Sequence, residues 1–171
     1  MGTEKRKVEI PNDWNGITIQ MYQDFEKLKK KNLKEDEFNL EVLATVCGLN
    51  RKMVERMETK SLNKVLKILK FLAVQPETEK LQKKVEWNGA TYGFIPNLSE
   101  ITMGEYIDIE NHCKEAHKNL HKIMSILYRP IVEEKNGIYI IEAYDGNINI
   151  RAEEMKKMSA EQVQSALVFF Y

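Results

Sequence analysis

The sequence predicts an α+β fold that is mainly α-helical, with an N-terminal helical subdomain followed by a β-hairpin and further helices. Three observations carry that expectation. Between Ile17 and Val74 the apolar residues recur at helical spacing. From Val85 the period changes to two around the pair Asn88-Gly89. The helix-entry pattern ITIQMYQDFE at Ile17 to Glu26 returns as ITMGEYIDIE at Ile101 to Glu110, so that Ile, Thr, Tyr, Asp and Glu repeat at an offset of 84 positions. These divide the chain into an arm (1–16), a helical subdomain (17–75), a connector (76–84) and a hairpin-plus-helices subdomain (85–171).

The arm is polar and ends in the turn-forming residues Pro11, Asn12, Asp13, Asn15 and Gly16, with Trp14 as its anchor on the body. Thr18 then caps a helix, and Ile17 and Tyr22 stand at the two positions of a hydrophobic staple. Ile19, Tyr22, Phe25 and Leu28 form its inner face, and the run KLKKK closes it with positive charge where the helix dipole favours it. After a charged link from Asn32 to Glu37, a second helix is expected near Asn39, presenting Leu40, Leu43, Val46 and Cys47 before Gly48 ends it. A short helix over Arg51 to Glu58 and a longer one over Leu62 to Val74 complete this half, and Pro76 stops the last.

In the second half, Asn-Gly favours a type I′ turn that sets Val85 opposite Tyr92 and Trp87 opposite Ala90. Thr102 and Glu105 form a capping box, with Ile101 and Tyr106 as staple partners and Tyr106, Ile109, Cys113 and Ala116 as the buried stripe. Asn119 caps a further helix that turns Leu120, Ile123, Met124 and Leu127 inward until Pro130. A strand over Ile138 to Tyr144, a short helix over Ala152 to Met158 and a final helix opened by Ser159 and Gln162 follow. Val163, Ala166, Leu167 and Phe170 line one side of that last helix. It reaches Tyr171 without a C-cap, as expected of a helix docked on a partner or continued in a tail. Asn39-Leu40 with Leu43 and Val46 also matches Asn119-Leu120 with Ile123 and Ile126 at an offset of 80, the pattern of two related helix-link-helix units.

Of the 171 residues, 43% are apolar, enough to supply a core. Formal charge is zero, but residues 1–84 carry 18 Lys/Arg against 13 Asp/Glu and residues 85–171 carry 8 against 13. The halves are thus oppositely charged, and a nucleic-acid binder usually shows a stronger basic excess overall. Cys47 and Cys113 stand apart, as reduced thiols rather than a disulfide framework. No signal peptide and no bilayer-length apolar run is present in the sequence, so a soluble intracellular protein is expected.

Candidate chemistry is sparse. Cys113, His117 and His121 stand four residues apart, which on one unbroken helix would make a zinc-ligand stripe. Asn119 interrupts it, and neither a fourth ligand nor an HExxH glutamate accompanies it, so no metal or cofactor is expected. Asp108 with Glu110, and Glu153 with Glu154, read as solvated carboxylates, and GxSxG, P-loop and GxGxxG patterns are absent. The segment Leu43 to Glu58 resembles the helix-turn-helix core of phage-repressor-type regulators, with Asn50, Arg51, Lys52 and Arg56 as the DNA-binding residues of that alternative.

The chain as a whole is similar to a group of small tailed-phage morphogenesis proteins of tail-assembly-chaperone type. The likeness lies in the helix ending Cys47-Gly48-Leu49, the segment Leu62 to Leu72, and the stretch KKVEWNGATYGFIPNLSEITMGEYIDIENH. It extends to NLHKIMSILYRPI and to a terminal helix with Phe169 and Phe170. The resemblance implies a non-enzymatic protein that contacts phage structural or tail proteins, or further copies of itself, in the host bacterial cytoplasm during assembly or in the virion. For such a role the last helix, with Val163, Leu167, Phe169, Phe170 and Tyr171, is the candidate partner-binding face.

Overall fold

A computed structural model describes residues 7–74 and 80–170, with side chains placed through Leu167. Among the described residues, eight α-helices and one four-stranded antiparallel sheet make a mainly helical α+β fold, as the sequence predicts. The helical half holds α1 (Ile19–Lys29), α2 (Glu35–Val46), α3 (Arg51–Glu55) and α4 (Thr59–Ile68), the last continued by a 3₁₀ stretch over Leu69–Ala73. Strands β1 (Lys84–Trp87) and β2 (Ala90–Phe94) follow, then α5 (Met103–Cys113) and α6 (Ala116–Leu127). Next come β3 (Tyr128–Lys135) and β4 (Ile138–Ile141), and finally α7 (Asn149–Met155) and α8 (Ala160–Phe170).

Several local expectations hold. Thr18 accepts from the Met21 N–H and Thr102 from the Glu105 N–H, so both repeated entry signals cap helices. Val85 pairs with Tyr92 and Trp87 with Ala90 across a turn in which Asn88 and Gly89 have φ of 48° and 75°. Trp14 packs edge-on against Tyr22 and Phe71.

Other elements differ, each for a definable reason. α2 begins at Glu35, four residues before Asn39, because Glu35, Asp36 and Glu37 stabilise the positive end of a helix dipole and are its first turn rather than a link. α6 begins at Ala116, and Asn119 lies inside it, with its amide donating to the His112 carbonyl at the end of α5. Pro130 does not end a helix. The chain is already extended from Tyr128, and Pro130 pairs with Tyr92 in β3, a strand the helical periodicity conceals. A second Asn-Gly turn, Asn136-Gly137 with φ of 52° and 79°, joins β3 to β4. The expected hairpin is therefore half of a sheet of order β1-β2-β3-β4, with α5 and α6 inserted between its middle strands.

Two apolar clusters form the core. One joins Phe25, Leu28, Val42, Leu43, Val46, Val54, Val65 and Leu69 to Ala160. The other joins Val85, Phe94, Ile109, Ile123, Tyr128, Met155 and Val163 to Ile19. Each cluster thus takes a residue from the opposite end of the chain. The reason is a backbone exchange: the Ile19 and Gln20 N–H groups donate to the Met158 and Lys156 carbonyls, and the Ala160 N–H donates to the Ile17 carbonyl. Free N–H groups at the starts of α1 and α8 are satisfied by the other's entry strand, so neither helix start is left with its first donors unpaired.

Candidate functional site

The most buried polar constellation lies where α5 meets the sheet. Glu105, third residue of α5, accepts from the Thr102 N–H at 2.6 Å and from its hydroxyl at 2.7 Å, which completes the capping box. Its other oxygen pairs with Arg129 of β3, and this ion pair is 95% buried on both sides. Burial pushes the Glu105 carboxyl up, but the two Thr102 hydrogen bonds and the Arg129 charge outweigh it and hold the group below its ordinary range. The Arg129 guanidinium lies 5.5 Å from the Tyr144 ring, and Tyr144 donates to Asp108, whose charge adds to burial in raising the phenol. Asp108 is accordingly a half-buried acceptor rather than the solvated carboxylate expected. The arrangement fixes α5 on β3, and its shifted groups titrate away from neutrality.

Burial of Glu105 also settles how α5 sits. With Glu105 and Ile109 turned inward, Tyr106 stands about 100° around the helix and is 51% exposed, so it is not part of the buried stripe. Met103 and Ile107 share that outer face. The strand pair β3–β4 likewise exposes Val132, Ile138 and Ile140.

The Cys113, His117 and His121 spacing does not produce a ligand stripe. Cys113 ends α5, the helix is interrupted at Lys114 and Glu115, and the two histidines belong to α6. Among the described residues no three His, Cys, Asp or Glu side chains could hold one metal ion. His117 lies beside Lys30, 2.9 Å from Nε2 to Nζ. His121 is buried between α1 and α6, with Nδ1 3.0 Å from the Gln23 side-chain oxygen, while the Gln23 amide donates to the Lys118 carbonyl. Burial, then Lys156, pushes His121 down from 6.5 to about 4. The unfolded chain therefore takes up this proton first. The contribution of neutral His121 is complete above pH 6.5 and is lost as pH falls toward 4. Urea midpoints are expected to fall between pH 7 and pH 5 by an amount equivalent to about 1–2 kcal/mol. A His121→Gln variant should lose most of that dependence, the remainder coming from His112, which burial also lowers, and an unchanged slope would contradict the assignment.

The four residues of the DNA-binding alternative are divided by the structure. Asn50 is spent as the N-cap of α3, accepting from the Lys52 N–H at 2.9 Å. Arg51 is held by Glu41 and by Glu55, the latter at 2.9 Å. Lys52 and Arg56 are exposed and pair with no carboxylate among the described residues. The helix that would enter a groove is five residues long, little more than one turn.

The same α2–α3 corner borders an apolar groove beneath the N-terminal arm. A cavity of about 280 Å³ is lined by Leu43, Cys47, Leu49, Met53, Met57 and Val65 from the body, and by Val8 and Ile10 from the arm. It adjoins a wider cleft of about 910 Å³ that Lys7, Pro11 and Asn50 also border. Burial raises the Cys47 thiol, so it behaves as part of the apolar wall. In the arm, Val8 and Ile10 are half-buried while Lys7 and Glu9 are exposed, the alternation of an extended segment laid on a surface. Among the described residues, Lys7 to Asn12 make no backbone hydrogen bond to the body. Pro11 is held instead by close approach to Gly16, where an added Cβ would lie 2.9 Å from that of Pro11. The sequence signal for this groove was the alternation in KVEIP, within an arm otherwise read as polar.

The last helix turns its described apolar residues inward. Val163 and Ala166 are buried and Leu167 is half-buried against the second core cluster, so Val163 is unavailable as a contact surface. The side chains of Phe169, Phe170 and Tyr171, and the connector residues 75–79, lie outside the described residues. Among those described, no helix is long and apolar enough to cross a membrane.

Comparison with protein-family models, curated proteins and solved structures returned no match to this chain.

Proposed function

We propose that the chain is a non-enzymatic assembly protein of a tailed phage, a tail-assembly chaperone or virion component that acts through protein–protein contacts in the host cytoplasm or in the particle. The observation that carries the contact reading is the apolar groove of Leu43, Cys47, Leu49, Met53, Met57 and Val65, covered by an arm that no backbone hydrogen bond among the described residues secures. A chaperone needs apolar surface that is covered until its client arrives, and methionines suit a surface that must fit more than one shape. The phage-assembly part rests on the resemblance of the Cys47-Gly48-Leu49 helix end and of the Lys83 to His112 stretch.

Co-expression with the tail proteins encoded beside it is expected to yield a co-purifying complex and to keep a tail protein soluble. A chain that ignores those proteins and shifts duplex DNA with steep salt dependence would replace this reading with a regulator built on residues 43–58.

A further inference from the structure

The sequence holds three Asn-Gly pairs, Asn15-Gly16, Asn88-Gly89 and Asn136-Gly137, and all six residues are exposed. In such a pair the backbone nitrogen of the glycine can close a five-membered ring on the side-chain amide carbon of the asparagine, and glycine has no Cβ to shield that nitrogen. Attack needs an amide free to turn and a backbone N–H free to lose its proton. The fold treats the three pairs differently. The Gly16 N–H donates to the Asp13 carbonyl at 3.2 Å and to Asp13 Oδ1 at 3.1 Å, so the attacking nitrogen is engaged there. Asn88 is tied by its amide, which donates to Glu154 Oε2 at 3.0 Å, and that carboxylate opposes the negative charge that develops during attack. Asn136 makes no side-chain hydrogen bond among the described residues. Its neighbour Lys135 is exposed, pairs with no carboxylate among the described residues and favours that same charge, while Glu134 is taken up by Lys84. Around Gly137 an added Cβ would meet nothing within 4 Å, so the turn opens without displacing a neighbour.

We propose that Asn136-Gly137 is a site of spontaneous covalent modification, at which water converts the Asn136 amide to aspartate and isoaspartate, and that the isoaspartate form loosens β4. The Gly137 nitrogen, its proton lost to hydroxide, forms a bond to Asn136 Cγ. The Cγ–Nδ2 bond breaks, and ammonia leaves with a proton taken from water. Water then opens the cyclic imide at one of its two C–N bonds. Cleavage at Cγ gives aspartate, and cleavage at the main-chain carbonyl carbon gives isoaspartate, in which the chain runs through Cβ and Cγ. One water is consumed and one ammonia released, with no change of oxidation state. The turn has no room in its register for the second product. It is a two-residue loop with φ of 52° and 79° that sets Lys135 opposite Ile138, and one extra main-chain carbon breaks that pairing. β4 is an edge strand, and among the described residues no backbone hydrogen bond reaches it from any element but β3. Loss of the turn therefore frees the strand whose Tyr139 ring covers Gly93 and whose hydroxyl donates to the Phe94 carbonyl.

The test ages the full chain in mildly alkaline buffer and follows the three pairs by peptide mass spectrometry, with fragmentation that separates isoaspartate from aspartate. Conversion at Asn136 should run about threefold or more faster than at Asn88 or Asn15, the rate equivalent of one hydrogen bond to a charged group. The surface variant Glu154→Ala should raise the Asn88 rate toward that of Asn136, and Lys135→Glu should slow Asn136. In urea, where the Asp13 and Glu154 contacts are gone, Asn15 and Asn88 should accelerate relative to Asn136. Equal rates at Asn136 and Asn88 in the folded chain, indifference of Asn88 to Glu154→Ala, or an unchanged ranking in urea would each overturn the site. Amide exchange then reads the consequence. The isoaspartate-bearing fraction should exchange faster over Ile138 to Ile141 than the unmodified chain, and equal exchange there would overturn the loosening. Asn136→Asp carries the new charge without the extra carbon and should exchange like the parent. If it exchanges as fast as the isoaspartate fraction, the extra main-chain carbon is not the cause and that part of the proposal fails.

Discussion

Replacing Glu105 with alanine is expected to lower stability by about 4 kcal/mol, the largest effect of any single change considered, because it strands the buried Arg129 charge. Thr102 would also lose the carboxylate that accepts from its N–H and hydroxyl, a capping contribution of about 1 kcal/mol within that total. For a chain of this size the thermal midpoint should fall by roughly 8–16 °C. The companion double variant Glu105→Met/Arg129→Met separates causes. With both charges gone, most of the loss should be recovered, since buried ion pairs commonly do little better than apolar residues of similar volume. A double variant as damaged as the single one would contradict the stranded charge as the main cause. Acid should act on the same pair with a definite sign. Glu105 sits below its ordinary value of 4.5 in the folded chain, so its stabilisation is complete above that pH and is lost as pH falls through the lowered folded value. This loss starts at the lower end of the His121 window of about 4 to 6.5 and continues below it, and His121→Gln should leave it in place.

Gly93→Ala should be nearly as costly, about 2–4 kcal/mol, and here the cause is purely steric. A Cβ at Gly93 would stand 2.5 Å and 2.8 Å from the Tyr139 ring and 2.9 Å from Ile141. The ring cannot swing aside freely, since its hydroxyl donates to the Phe94 carbonyl at 2.7 Å. Tyr139 thus lies across the strand β2 at the one position with no side chain, filling the space an ordinary residue would occupy. In a Tyr139→Ala background the Gly93 substitution should lose most of its effect. A midpoint drop under about 2 °C for Gly93→Ala alone would show that the sheet yields at this point.

How much of this was legible in the sequence follows from where each partner lies. Thr18, Thr102 with Glu105, and Asn88-Gly89 act on neighbours within three residues, and all three signals formed as expected. The second turn, Asn136-Gly137, carries the same chemistry but was concealed by Pro130, which suits the end of a helix as well as an irregular strand beside a register shift. The acidic run Glu35 to Glu37 reads as a solvated link or as the first turn of a helix, and only packing of Val42, Leu43 and Val46 decides between them. Long-range pairs were beyond reach. Arg129 is 24 residues from Glu105 and Gln23 is 98 from His121, so the reason for burying Glu105 and exposing Tyr106 does not exist until β3 lies under α5. The DNA-binding pattern was legible, yet Arg51 finds Glu41 ten residues upstream, and that pairing is invisible to a motif. The groove was half legible: its wall appears as α2 and α3 apolar spacing, but its cover required the arm to fold back over Cys47 and Met53.

The central claim is that this chain works by partner contact in the groove beneath its arm. Amide hydrogen exchange of the full chain, measured with and without a co-purified tail protein, tests it most directly. The account predicts new protection over Leu43 to Met57 and at Val65, together with faster exchange at Val8 to Ile10 as the arm is displaced. Protection confined to α5, to β4 or to α8, with the arm and the α2–α3 corner unchanged, would contradict it.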